Sequence, residues 1–156
     1  MNNLEIALKG IKIASNILDI PEPSIYFASS NELPNNEVTA VFRHKNYEII
    51  FNEDWLTKVP WIEVMVTCFH ECRHAYQAYS VKHNLNESKE ILNKWNNDFN
   101  TYNMPSGTLD EKADINYLTQ PIEIDAIIWT HIKIKELFEV KTIVPESIKK
   151  YLDLQI

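Results

Sequence analysis

"PWIEVMVTCFHECRHAYQAYSV", residues 60–81, decides the fold, because after Pro60 it runs about twenty residues with no Gly or Pro. Pro60 suits a first helical position: its ring fixes φ near the helical value, and its missing N–H would have no partner there. The spacing predicts one long helix. On it each residue advances about 100°, so His70 and His74 project within about 40° of each other and one turn apart. Glu63, Thr67, Gln77 and Val81 fall on the same side, while Trp61, Met65, Cys68, Cys72, Tyr76 and Tyr79 cover the opposite, more apolar side. The histidines are therefore expected to face away from the apolar stripe. Cys68 and Cys72 point roughly 120–160° from them and read as core thiols rather than as metal ligands.

Upstream, Leu4, Ala7, Leu8, Ile11, Ala14, Ile17 and Leu18 recur at helical spacing, and Pro21 and Pro23 close the segment. Three stretches rich in β-branched and aromatic residues follow: "SIYFAS" (24–29), "VTAVFRH" (38–44) and "YEIIFN" (47–52), separated by polar "SNELPNN" and "HKN". These predict a small antiparallel sheet of about three strands, packed on the long helix. Downstream, residues 86–102 read as a helix, and 103–119 as the least structured part of the chain. Pro121 opens a helix reaching about residue 139, and Pro145 opens a short one ending near Leu154. The expected class is α+β, as one domain over 1–156, with 82–118 as a helix-plus-loop insertion between the two helices that matter most.

A chain of 156 residues can bury roughly two-thirds of the surface its unfolded form exposes, enough for a self-sufficient core. Net charge is −7 and the pI about 5.2. The fifteen Lys and Arg form no cluster longer than Lys149–Lys150, so no phosphate-tracking patch is visible and nucleic acid is not an expected partner. No basic segment leads into an unbroken apolar run at the N-terminus, and no stretch of about eighteen apolar residues occurs, so neither export nor a membrane span is expected. Two cysteines four apart make no long-range disulfide framework, which points to a reducing cytosol. Oligomeric state is not legible, although the apolar C-terminal helix leaves room for a dimer.

Two imidazoles one turn apart can grip one metal ion, and a carboxylate beside the first can reach a water without reaching the metal. His70 and His74 are thus candidate ligands of Zn2+, and Glu71 the candidate general base and proton shuttle. The bland alternative is a polar helix face with two hydrogen-bonded histidines. At "QPIEIDAIIW" (120–129), Glu123 and Asp125 lie about 200° apart on a helix, so only one can face the metal. Glu123 shares its side with Ala126, whose small side chain permits close approach, and is the favoured third ligand; Asp125 remains the alternative. A glutamate two positions after an N1 proline also stabilises a helix N-terminus with no metal at all.

These residues resemble the short gluzincin-type metallopeptidases, including the ImmA/IrrE-like proteins of bacteria and their mobile elements. The resemblance rests on "HECRHAYQ" (70–77) followed by "PIEIDAIIW" (121–129), where a pattern E-x-x-A-x-x-aromatic reads Glu123, Ala126, Trp129. It implies a zincin-like fold, a His70, His74, Glu123 zinc site, hydrolysis of a peptide bond in a protein or peptide substrate, and a bacterial or phage cytoplasmic setting. The chain departs from the pattern at Ile127, where such proteins usually carry Asn, and in the longer connection over 82–118.

Tyr117, six residues before Glu123, is the candidate donor to an oxyanion, with His131 and His83 as weaker alternatives. Asp125 is expected to orient a ligand histidine or to pair with Arg73, and Gln77 to orient a histidine. "YEIIFN" is the expected cleft-side edge for an extended peptide. Two other functions fit the same residues: a non-catalytic zincin-fold regulatory or interaction module with a structural metal or none, and a metal-free helical protein whose histidines pair with acids such as Glu63 and Glu123.

Overall fold

The structure, a computed structural model, describes residues 1–154. Its first helix, α1 (Asn3–Leu18), starts at a reciprocal cap in which the Asn2 side chain accepts from the Glu5 N–H and the Glu5 carboxylate accepts from the Asn2 N–H. It ends at Asp19 in the left-handed conformation. Ala7, Ile11, Ala14 and Leu18 form its buried face.

Three strands follow, β1 (Ser24–Ala28), β2 (Ala40–Arg43) and β3 (Glu48–Asn52), in the order β1-β3-β2. β2 and β3 form an antiparallel hairpin, but β1 pairs with β3 in parallel. The sheet is mixed, a correction to the antiparallel expectation. The connection over 29–39, which contains a short 3-10 turn at Ser30–Glu32, carries the chain past the central position, so that β2 lands on the far side of β3. "YEIIFN" is accordingly the middle of the sheet rather than its edge. Its run of Ile49, Ile50 and Phe51, all buried, is the composition of a strand covered on both faces.

β2 is the edge strand. The Asn52 N–H donates to Thr39 O, which makes 39/52, 41/50 and 43/48 the hydrogen-bonded pairs and leaves the backbone groups of Ala40 and Phe42 on the open side.

After a one-turn helix, α2 (Glu53–Leu56), capped by the Asn52 side chain, the long helix α3 (Trp61–His83) runs through the centre of the molecule. Pro60 sits at its N-cap. α4 (Lys89–Asn100) begins at a Ser88 cap, α5 (Ile115–Leu118) is a single turn inside the stretch expected to be least structured, and α6 (Pro121–Phe138) has Pro121 at its first position. α7 (Glu146–Asp153) closes the described chain. The architecture is α+β.

α3 is buried on two sides, not one. Cys68 and Cys72 pack against α1, where Gly10 allows such close approach that a Cβ there would lie 2.7 Å from the Cys68 sulfur. Both thiols are fully buried and unpaired, and burial pushes Cys72 up to about 12 and Cys68 well above the ordinary thiol value. The histidine side is closed by α6, so Gln77 is as inaccessible as Phe69, and the apolar-stripe picture holds only for the α1 face. Trp61, expected in that stripe, is half exposed because it precedes the first packed turn; its ring meets Phe138 edge-on. A smaller cluster of Ile128, Val144 and Ile148 ties α7 to α6. Among the described residues, no helix is long and apolar enough to cross a membrane.

Candidate metal centre

The site is built where α3 and α6 lie side by side. Ala126 is fully buried between them, and the first turn of α6 is pinned from both directions. The Ile122 N–H donates to Asp98 Oδ2 from α4, and the Ile122 carbonyl accepts from Gln77 Nε2 of α3. That anchoring drives Glu123, with no solvent exposure, into the gap facing His70 and His74. Its two oxygens lie 3.1 Å from His70 Nε2 and 3.0 Å from His74 Nε2, and the two Nε2 atoms are 3.2 Å apart. One ligand atom from each residue falls within 4.8 Å of the others, so the three could hold a metal ion.

Asp125 is directed elsewhere. Arg73 clamps it through Nε at 2.7 Å and Nη2 at 3.0 Å, with the guanidinium lying over the Tyr76 and Trp129 rings. The helical period that separates Glu123 from Asp125 thus gives them different partners, and Trp129 serves the Arg73 clamp.

The donor chemistry suits a cation. Gln77 Nε2 faces two acceptors, Ile122 O at 3.0 Å and Asp125 Oδ2 at 2.7 Å, which fixes the amide so that its oxygen lies 2.9 Å from His74 Nδ1. His74 therefore donates from Nδ1 to Gln77 and turns Nε2 inward. Burial alone would push His74 down, but the Glu123 carboxylate beside it outweighs burial and takes it up to about 9. Burial likewise opposes ionisation of Glu123, and the charges and hydrogen bonds of His74 and His70 overcome it, leaving the carboxyl well below its ordinary range. Two imidazole nitrogens and a carboxylate around one point are donor types that could hold a divalent metal ion.

Glu71 stands beside this group and outside it. It is buried, and burial raises its carboxyl, helped by the charge on Glu123; the charges of His74 and His70 and the nearby Phe42 amide of the β2 edge offset that only in part.

Tyr102, in the segment after α4, was not singled out by sequence reasoning. Its hydroxyl donates to Glu123 Oε1 at 2.6 Å. Tyr117 from α5 packs edge-on against it, ring centroids 6.1 Å apart. Burial first, and then the Glu123 charge, raises both phenols, so both remain protonated donors. No spacing rule links residue 102 to residue 123; the one available signal is an aromatic at the end of a helix entering a Gly- and Pro-containing loop. His131 lies outside the site with Nδ1 2.7 Å from Thr142 Oγ1, and His83 stacks on Tyr79 at 4.4 Å. Neither reaches the cluster, which corrects their listing as alternative donors, and Glu63 is exposed at the other end of α3.

A cleft of about 960 Å³ opens over the group. The β2 edge forms one wall, His70, Glu71 and His74 the floor, and the segment carrying Tyr102 and Tyr117 the opposite wall. Comparison of the chain with family models, with curated proteins and with solved structures finds no match.

Proposed function

We propose that this chain is a zinc-dependent metallopeptidase of the short gluzincin, ImmA/IrrE-like type, acting on a protein or peptide in the cytoplasm. The observation that carries the reading is the convergence of His70, His74 and Glu123 on one point, with a second carboxylate, Glu71, buried beside it but held apart. Three protein ligands, not four, are the number that leaves a coordination position for water, and among the described residues no fourth His, Cys, Asp or Glu joins the group. That count favours catalysis over the alternative of a non-catalytic module with a closed structural site. Zinc bound there would lower the pKa of water to about 7 and polarise the scissile carbonyl.

The chain's own groups supply the remaining steps. Glu71 takes the proton of the attacking water as the new C–O bond forms, and returns it to the amide nitrogen as the C–N bond breaks. Tyr117, on the cleft wall, keeps a protonated hydroxyl that can donate to a carbonyl oxygen gaining negative charge, while Tyr102 donates to the Glu123 carboxylate. Gln77 keeps His74 in one tautomer. The open edge of β2 offers the Ala40 backbone groups and the Phe42 carbonyl to an extended substrate.

The test is Glu71→Gln. The variant should retain about one zinc per chain by elemental analysis and lose peptide hydrolysis by at least about a hundredfold, as removal of a general base does. Undiminished hydrolysis would contradict the assignment.

A further inference from the structure

Beyond the metal group, a second cavity of about 600 Å³ lies at one end of the cleft. The two share a wall: His44, Lys45, Asn46 and Phe99 line both. The far side of the second cavity is the last turn of α3, with Lys82 and His83, and the C-terminal half of α4, with Asn96 and Asn100. In a chain of 22 acidic and 15 basic residues, this cavity is lined by Lys45, Lys82, His44 and His83 and by no Asp or Glu. Among the described residues neither lysine has a carboxylate within ion-pair distance. Burial, and then the Lys45 charge, holds His44 below its ordinary value, as expected where cations gather without an acid. Its ring rests 5.0 Å from that of Phe99, and His83 rests on Tyr79, so both imidazoles are held by packing at the rim.

We infer that this cavity is a subsite for an acidic side chain of the peptide substrate, with Lys45 and Lys82 as its charge-selecting residues. The inference rests on the peptidase reading for the identity of the ligand. Its geometry follows from β2: Phe42, whose amide lies beside Glu71, marks the reacting end of the open edge, and the hairpin turn that follows Arg43 carries Lys45 to the second cavity. A peptide lying along β2 and running on past Arg43 brings a side chain beyond the scissile bond to the mouth of the basic cavity. A carboxylate there finds two ammonium groups and the Asn96 and Asn100 amides as donors, whereas a lysine or arginine meets like charge.

The test separates the subsite from the chemistry. A random peptide library on beads is panned against zinc-loaded Glu71→Gln protein and against the same protein carrying Lys45→Glu and Lys82→Glu. Captured peptides should favour Asp and Glu over Asn and Gln about fivefold at one position, the selectivity that two partly exposed ion pairs supply, and should lose that preference in high salt. The doubly reversed protein should favour Lys and Arg instead, and Lys45→Gln with Lys82→Gln should show no charge preference. Absence of an acid preference, absence of capture, or the same preference in the reversed protein overturns the subsite. Hydrolysis of the same library by the unsubstituted protein is read in parallel. Acid-selective capture without hydrolysis sinks the peptidase reading and leaves the subsite standing; hydrolysis without acid preference does the reverse.

Discussion

At Gln77 a single amide decides which nitrogen of His74 is free. Its NH2 group is consumed by Ile122 O and Asp125 Oδ2, so its oxygen has one orientation, and His74 has one tautomer. Gln77→Leu keeps roughly the volume and removes the acceptor, which leaves Nδ1–H of a buried imidazole unpaired. Loss of such a partner weakens metal affinity by about 10- to 100-fold. Chelator competition on purified Gln77→Leu protein should therefore show zinc held at least about tenfold more weakly; unchanged affinity would mean that packing alone orients the ring. Glu123 and Asp125 were separable in the sequence at this same scale, because a 200° step on a helix admits only one of them to a given face. Tyr102 was not, since its contact with Glu123 crosses a loop and follows no period.

At the scale of elements, the placement of α3 depends on α1. Gly10 faces Cys68 so closely that an added methyl would lie 2.7 Å from Sγ and 3.1 Å from the Met65 sulfur. Gly10→Ala gains helix propensity, but the overpacking it imposes on a filled core outweighs that gain, for a net loss of about 1–2 kcal/mol. Urea unfolding should show that loss, and Cys68→Ala in the same chain should recover only part of it, since it removes the sulfur but leaves the Cys68 Cβ 2.9 Å from the new methyl. Strict additivity of the two changes would contradict the contact. Helix boundaries were largely legible: Pro60 and Pro121 start α3 and α6 within a residue of where they were expected, because proline's constraints are local. Strand order was not. β1, β2 and β3 all carry the right residues, yet whether β3 lies in the middle is decided by a connection whose path no local pattern encodes. The uninterrupted Ile49-Ile50-Phe51 run was the one hint that β3 is central.

For the molecule as a whole, three separately folded elements meet at one buried cluster: α3 brings two imidazoles, α6 a carboxylate, and the segment after α4 a phenol. The polar side of α3 is an interior seam against α6, as the close approach allowed by Ala126 led one to expect, and its full burial at Gln77 is a product of that tertiary contact. Burying His74, Glu71 and Glu123 there, with His70 partly covered, costs solvation that an ion would offset, which is the physical reason to expect one. The most direct measurement is the anomalous diffraction of a zinc-soaked crystal. The account predicts one ion bound by Nε2 of His70 and of His74 at about 2.0–2.1 Å and by a Glu123 oxygen at about 2.0–2.2 Å, with a water completing the shell and Glu71 not coordinated. No ion between the two rings, or an ion closed off by a fourth side chain, would contradict it.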